Sequence, residues 1–242
     1  MATEPVGSPA IGGVSRKGLR DQVYDSVLEL LMSHVLKPGE RLGIDSLAHT
    51  LKVSPTPVRE ALVHLERTGL VTREGYKGYR VAAPLSEREM TELVDAREML
   101  EVQATQWAGD KLTAALPDLR LAHALHTAAT VDVLERLRTE HVDLQAYRDY
   151  FVADERFHQE IMKAAGNRFL TGMATDLGAH QHRMRQTIIR GEYDVAQALA
   201  EHAAILAAVE SGDQEATVQA MRDHMAGIRA RSAHGFNRTQ GD

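Results

Sequence analysis

The hydrophobic pattern of this chain changes its period along the sequence, and this change limits the folds that the chain can adopt. From Leu19 to about Arg67, apolar residues recur at the spacing of a helix face. Two short β-type runs follow, and from Ser86 to Ser232 every periodic segment is helical again. The sequence therefore predicts a mainly α fold, with one small hairpin between two helical regions.

The first helical region divides into three helices. The first ends before Lys37-Pro38-Gly39, and the second covers Ile44–Leu51. The third begins after Ser54, a favourable N-cap residue, with Pro55 and Pro57 in its first turn, where the N–H groups that proline lacks are not needed. A tight turn thus separates the second helix from the third.

Three helices followed by a hairpin form the layout of a winged helix-turn-helix. In this layout the N-terminal end of the third helix enters the major groove of DNA, and the hairpin, or wing, contacts a neighbouring groove or the backbone. Arg59 could bond a guanine edge or a phosphate. The predicted DNA-contacting residues are Ser54, Thr56 and Arg59 on the third helix and Arg73, Lys77 and Arg80 on the wing. The alternative is that these side chains form an ordinary solvated surface.

The region after the hairpin contains six predicted helices, which we expect to form an antiparallel all-α bundle. Ser86-x-x-Glu89 has the spacing of a capping box and opens the first of them. Their approximate ranges are 86–108, 112–137, 140–165, 168–190, 194–211 and 213–232. The predicted divisions of the chain are a disordered tail at 1–15, a DNA-binding domain at 16–82, a linker at 83–85, a helical domain at 86–232 and a frayed tail at 233–242.

Several polar residues of the helical domain fall on faces that otherwise carry apolar residues. They are Arg97, Glu101, Asp154, His158, His202 and His224. Burying such groups costs several kcal/mol unless they satisfy one another or a bound ion. His180 also lies on an apolar face, where it lines a pocket or has a structural role. The pattern indicates that something polar occupies the centre of the bundle.

Four of these residues can converge on one point. Asp154 and His158 are four residues apart and project from one helix face. His202 and His224 lie on either side of the turn at Ser211-Gly212-Asp213, at levels that differ by only about 3 Å in an antiparallel pair. The chain has no cysteine, so a metal must be held by His, Asp or Glu. One carboxylate and three imidazoles suit Zn²⁺, Ni²⁺ or Mn²⁺ and leave coordination positions open.

The N-terminal motif resembles the DNA-binding domain of the GntR family of bacterial transcription regulators. The residues that carry the resemblance are Lys37-Pro38-Gly39-Glu40-Arg41-Leu42, Leu47-Ala48, Val53 to Leu62, Leu65-Glu66 and Gly69-Leu70-Val71. The resemblance implies operator binding as a homodimer that reads a short inverted repeat. Pro55 departs from the family, which usually has Arg there, so the operator sequence cannot be transferred from relatives and Arg59 is expected to carry more of the readout.

Residues 86–232 resemble the FCD effector domain of the FadR subgroup of that family, in its shorter, VanR-like branch. The matching pieces are Arg97 and Glu101, Asp154-x-x-x-His158, Asn167, Glu201-His202 and His224. The resemblance implies that Asp154, His158, His202 and His224 hold a divalent metal, most simply zinc. It also implies that the carboxylate of an effector completes the coordination of this metal. The implied effector-binding residues are Arg97, Glu101 and Asn167, with His180 as a pocket-lining candidate, and Arg97 could form a bidentate pair with the effector.

Charge and hydropathy agree with a regulator composed of two unlike domains. The net charge of −6 divides into +2 for residues 1–84, with 11 basic and 9 acidic residues, and −8 for the rest, with 17 and 25. No apolar run approaches the ~20 residues that span a bilayer, so a cytoplasmic protein is expected. Two alternatives are a metal-dependent enzyme that uses the Asp/His₃ site and a helical dimerisation module with a structural metal. A regulator that is not an enzyme is the preferred prediction, because an enzyme has no need of the N-terminal motif.

Overall fold

The structure is a computed structural model that describes residues 18–32, 35–75, 78–138, 144–188 and 192–239. Within these ranges it confirms a mainly α fold with one small sheet in the N-terminal region. The predicted tail at 1–15 lies outside the described residues. Among the described helices, none has both the length and the apolar content that crossing a membrane requires.

The N-terminal region forms the predicted winged helix-turn-helix. Its elements are α1 (Leu19–Met32), β1 (Arg41–Leu42), α2 (Ile44–Leu51), α3 (Pro55–Arg67), β2 (Val71–Arg73) and β3 (Tyr79–Val81). The strands pair antiparallel in the order β1-β3-β2, with Val71 opposite Val81. The hairpin of β2 and β3 is the wing. The sequence pattern did not reveal β1, because two residues are too few to show a period.

A compact apolar core fixes the direction of α3. Val27 of α1 packs with Val58, Leu62 and Leu65 of α3, and all four side chains are fully buried. Lys52 ends α2 in the left-handed conformation, with φ at 55°, so the chain reverses direction within a few residues before α3 begins. The first turn of α3 therefore lies at the surface of the domain while its apolar face is held inside.

The remaining helices form the bundle. They are α4 (Glu87–Ala108), α5 (Lys111–Ala114), α6 (Leu116–Arg138), α7 (Leu144–Ala164), α8 (Arg168–Ile188), α9 (Glu192–Ser211) and α10 (Gln214–Thr239). Helix α6 packs against α7 and α9, and α10 packs against α4 and α9. The centre of the bundle contains large buried side chains, among them Phe157, Ile161, Ile205 and Met221.

The bundle departs from the predicted helices at two places. The segment predicted as one helix at 112–137 is divided into α5 and α6, because Pro117 lacks an N–H group and is accommodated only in the first turn of a new helix. The last helix continues to Thr239, beyond the end predicted at Ser232, and the frayed tail at 233–242 stays a prediction. A helix backbone can continue past its last packed residue, and the buried face therefore marks its end poorly.

The start of α4 provides a test of how much a side-chain cap stabilises this fold. Ser86 and Glu89 form both bonds of a capping box, whereas Ser54 occupies the N-cap position of α3 without a side-chain bond. We expect Ser86→Ala to lower the free energy of unfolding by about 1 kcal/mol, and Ser54→Ala to leave it nearly unchanged. Urea denaturation followed by circular dichroism measures both, and equal losses would contradict the assignment.

Candidate functional site

The N-terminal end of α3 presents polar side chains to solvent. Ser54, Thr56 and Arg59 are exposed, while Val58 and Leu62 on the same helix are buried. Arg59 therefore lies away from the core, at the beginning of the second turn of the helix. A helix start offers N–H groups and a favourable dipole for a phosphate, and an arginine there can reach a base edge.

The wing contributes less free positive charge than the sequence suggested. Arg73 is exposed. Arg80 is half-buried, and its guanidinium bonds both oxygens of Glu74, at 2.6 and 3.0 Å, and also the carbonyl of Gly39. Lys77 lies outside the described residues. Arg80 thus ties the sheet together, and a role for it in DNA contact stays a prediction.

The polar residues of the helical domain meet at one centre. His158 on α7, His202 on α9 and His224 on α10 are buried, and one ring nitrogen of each lies within 4.8 Å of the others. Asp154, one turn before His158, directs Oδ1 to a point 3.7 Å from Nε2 of His202. The structure thus groups His158, His202 and His224 together and places Asp154 in a second group with His202 and His126, so that His202 belongs to both.

His158 is held by a buried ion pair. Its Nδ1 lies 2.5 Å from Oε2 of Glu101, and Oε1 of Glu101 accepts a bond from Nε of Arg97 at 2.9 Å. Burial opposes the charge on Glu101, but Arg97 and His158 hold the pKa of its carboxyl far below the usual range. Burial likewise opposes the charge on His158, but Glu101 raises the pKa of its imidazole. These contacts direct Nε2 of His158 toward the centre.

His224 has a matching arrangement on the opposite side. Its Nδ1 lies 2.8 Å from Oε2 of Glu201, and Arg231 bonds both oxygens of Glu201, at 2.6 and 2.9 Å. Arg231 also pairs with Asp194 at 3.1 Å. Burial opposes the charge on Glu201, but the bonds from His224 and Arg231 lower the pKa of its carboxyl. Nε2 of His224 is buried and has no hydrogen-bond partner among the described residues.

His202 is the central imidazole of the cluster. Its Nε2 lies 3.1 Å from Nε2 of His158, and its Nδ1 lies 3.0 Å from Nδ1 of His126 on α6. Burial and the neighbouring histidines hold the pKa of His202 well below its usual value. Burial also lowers the pKa of His224, although Glu201 opposes that shift. Neutral imidazoles are the form that binds metals.

These distances fit a metal centre. At a metal–nitrogen distance of about 2.1 Å, neighbouring ligand atoms lie about 3.0–3.4 Å apart. The Nε2 atoms of His158 and His202 have that separation. With their Nδ1 atoms directed at other partners, the Nε2 lone pairs face one another and repel unless a proton or cation lies between them. The donor set and its partners therefore suit a divalent cation held by imidazole and carboxylate.

A cleft opens beside this centre, between α4, α7 and α8. It encloses about 460 Å³ including open solvent. His158 reaches its wall, and the other polar side chains that line it are Arg97, Glu101, Glu155, Gln159, Thr171 and Thr175. Arg97 is buried, and its Nη2 has no hydrogen-bond partner among the described residues. The cleft thus offers a cationic donor beside the imidazole cluster.

Comparison with known proteins identifies the two parts of the chain. Residues 92–227 match the FCD domain family, and residues 19–81 match the family described as bacterial regulatory proteins, gntR family. The chain belongs to the GntR family and carries an FCD domain. It is therefore a transcription regulator of the GntR/FCD type, as its motifs implied, and GntR regulators bind DNA.

Relatives over most of the chain agree with this assignment. The GntR/FCD chain is 28% identical over 212 residues to an uncharacterised HTH-type transcriptional regulator of Streptomyces ambofaciens. The aligned region covers 86% of this chain and 83% of that protein. It is 29% identical over 198 residues to the HTH-type transcriptional repressor GlaR of Escherichia coli K12. That alignment covers 78% of this chain and 84% of GlaR. Escherichia coli McbR shares its fold, with a TM-score of 0.67 and 21% identity over 91% of this chain and 100% of that one.

Two predicted effector-binding residues of this GntR/FCD regulator lack support from the geometry. Oδ1 of Asn167 accepts bonds from the backbone N–H groups of Phe169 and Leu170, at 3.0 and 3.4 Å, so Asn167 caps α8. The side chain of His180 lies outside the described residues. An effector contact by either residue stays a prediction, whereas Arg97 and Glu101 line the cleft.

Sequence reasoning assigned no role to three residues of the centre, namely His126, Glu201 and Arg231. His126 lies seven residues after Leu119 on the buried face of α6, so the same stripe argument that found His202 could have found it. Arg231 follows His224 by seven residues, or two helical turns, and so shares its face. Glu201 gave no such signal, because a carboxylate next to a core residue usually faces solvent.

The exposed arginine at the start of α3 supplies a test of the DNA interface. We expect Arg59→Ala to weaken binding to the operator by about 1–3 kcal/mol and to reduce the preference for operator over unrelated DNA. Arg67 is also exposed, at the opposite end of α3, so Arg67→Ala is the matched control and should leave the preference intact. Gel-shift titrations on both DNAs measure this, and equal behaviour of the two variants would exclude readout by Arg59.

Proposed function

We propose that this regulator binds a divalent cation through Asp154, His158, His202 and His224, and that a small carboxylate bound beside the cation changes the affinity for operator DNA. The observation that carries the proposal is that ring nitrogens of His158, His202 and His224 lie within 4.8 Å of one another, next to the cleft that Arg97 lines. The cation would offer open coordination positions to a carboxylate oxygen.

Zinc is the cation that we propose first, with nickel and manganese as alternatives. Three imidazoles and one carboxylate suit all three ions, and affinity for such sites is higher for Zn²⁺ and Ni²⁺ than for Mn²⁺. The partners of the histidines support a site that is prepared for binding. Glu101 and Glu201 orient His158 and His224 and raise the basicity of these ligands.

The cleft supports a small, polar acid as the effector. Arg97 gives one bond to Glu101 and has Nη2 left to donate, so a carboxylate in the cleft would complete its bonding. Thr171, Thr175 and Gln159 add hydrogen-bonding groups to the wall. A purely structural metal would not require these features, and they favour an effector site over a helical dimerisation module.

The enzyme alternative is less well supported. An Asp/His₃ metal enzyme needs a general base near the metal-bound water. Glu101 is the carboxylate that the sequence suggested for this role. The pKa of Glu101 is held far below its usual range by Arg97 and His158, which makes it a weak proton acceptor.

We also propose that the regulator acts as a homodimer on an inverted repeat. Large apolar side chains are exposed on α4, where Met99 and Trp107 lie two turns apart, and on α8, where Phe169 and Met173 lie one turn apart. Helices α4 and α8 are in contact, so these residues can form one apolar face that a second copy would cover. Two copies would present two α3 helices to two half-sites.

A direct contact between the domains supports coupling of the two sites. Arg148 on α7 pairs with Asp25 on α1 at 2.7 Å, and both side chains are largely shielded from solvent. On α1, the ring of Tyr24 lies 4.6 Å from the ring of His64 on α3. The helix that carries Asp154 and His158 therefore contacts the domain that carries Arg59. An effector alters DNA affinity to the extent that it binds the two arrangements of these domains unequally.

The proposed metal centre can be tested by removing one ligand. We expect the purified protein to hold about one zinc ion per chain. Removing a residue that only hydrogen-bonds to a metal ligand weakens metal binding by about 10–100-fold, and we expect His224→Ala, which removes a ligand itself, to weaken zinc binding by more than that. His123→Ala is the control, because His123 is a half-buried imidazole on α6 outside the proposed ligand set. Competition with a chromophoric chelator measures the affinity. Full zinc binding by His224→Ala would exclude His224 from the site.

The proposed effector site can be tested on zinc-loaded protein with a panel of small mono- and dicarboxylates. We expect at least one acid to raise the Tm in a concentration-dependent way, and Arg97→Met to weaken its binding by about 10–100-fold through loss of a charged bond. Arg229 pairs with Asp95 and Glu98 on the surface, so Arg229→Met is the control. Unchanged affinity of a folded, zinc-loaded Arg97→Met protein would contradict the role of Arg97.

A further inference from the structure

The three histidines that face the proposed metal centre differ in what contacts their other ring nitrogen. Nδ1 of His158 meets a carboxylate, Glu101, and Nδ1 of His224 meets a carboxylate, Glu201. Nδ1 of His202 instead meets the imidazole of His126, at 3.0 Å. His126 is fully buried and comes from α6, a helix that contributes none of the proposed ligands.

The ring of His126 is held between two aromatic neighbours. Its centroid lies 4.9 Å from that of Tyr150 and 4.8 Å from that of His202. On its far side, Nε2 of His126 is buried, lies 4.0 Å from Oδ1 of Asp154, and has no hydrogen-bond partner among the described residues. One imidazole thus extends from His202 to Asp154, two of the proposed ligands.

The hydrogen-bonding rules of neutral imidazole define what His126 does there. If His202 binds a cation through Nε2, its proton lies on Nδ1, and this N–H donates to Nδ1 of His126. Neutral His126 then carries its own proton on Nε2, which faces Oδ1 of Asp154. We propose that His126 is a positioning residue that fixes the orientation and tautomer of His202 and directs an N–H group toward the carboxylate of Asp154.

An imidazole also suits this position better than a third carboxylate. Glu101 and Glu201 are each balanced by an arginine, Arg97 and Arg231 respectively. Another carboxylate next to Asp154 would add a buried negative charge, which is costly without a cationic partner. His126 supplies the acceptor that His202 needs without adding charge. This inference rests on the proposed metal centre and extends it to a residue outside the ligand set.

Two substitutions of nearly equal size separate hydrogen bonding from packing. Asn keeps a polar atom close to the position of Nδ1, whereas Leu fills a similar volume without one. With Co²⁺ as the probe, we expect His126→Leu to bind about 10–100-fold more weakly than the unmodified protein, with a changed visible absorption spectrum. His126→Asn should recover most of the affinity and the original spectrum. Equal affinities and spectra for the two variants would overturn the inference.

A measurement on the unmodified protein covers the case in which a variant fails to fold. In the zinc-bound protein, ¹⁵N spectra of the histidine rings should show His202 protonated on Nδ1 and His126 protonated on Nε2. Protonation of His126 on Nδ1 would overturn the inference. So would a second Co²⁺ ion per chain that His126→Leu loses, because His126 would then be a ligand with Asp154 and His202. If the unmodified protein binds no Co²⁺, the proposed metal centre itself fails, which is a different result.

Discussion

Among its described side chains, the helical domain buries one carboxylate, one arginine and four histidines in apolar surroundings, and the rest of its structure depends on how that burial is compensated. These residues are Arg97, Glu101, His126, His158, His202 and His224. An uncompensated charge in such surroundings costs several kcal/mol, a large part of the stability of a domain. Helices α4, α6, α7, α9 and α10 pack so that these groups contact one another, and these contacts compensate for their burial.

The compensation follows a repeated pattern, since two arms of the centre have the order histidine, carboxylate, arginine. In both arms burial opposes the charged carboxylate, yet the pKa of Glu101 and that of Glu201 are lowered, because the cationic neighbours outweigh burial. The two arms differ at their outer ends. Arg231 pairs with both Glu201 and Asp194, whereas Nη2 of Arg97 has no hydrogen-bond partner among the described residues. Of the two arms, the one with Arg97, Glu101 and His158 lines the cleft and can contact a ligand there. The arm with His224, Glu201 and Arg231 does not line this cleft and has a structural role.

Much of the fold and part of the centre could be predicted from the sequence, for a physical reason. Ligands that lie on a buried helix face interrupt an apolar period, and Asp154 and His158 do so visibly at a spacing of four residues. Glu101 and Arg97, which hold His158, interrupt an apolar period in the same way, but Glu201, the partner of His224, does not. From its place next to His202, Glu201 is predicted to be a surface residue. In the structure it contacts His224 and Arg231 of α10. The pairing of Arg80 with Glu74 was hidden for the same reason, because contacts across a sheet depend on register, which single residues do not reveal.

Helix α7 is the element through which the centre and the DNA-binding domain share a mechanical connection. Arg148 lies six residues before Asp154, about 9 Å along the helix. An α-helix over that distance moves as a unit, so a shift of Asp154 and His158 relative to α9 and α10 is also a shift of Arg148 relative to Asp25 of α1. One ion pair of this kind contributes little energy by itself. The proposed regulation therefore requires two arrangements of the domains that are already close in free energy, so that the different affinities of a carboxylate for the two arrangements are enough to decide between them.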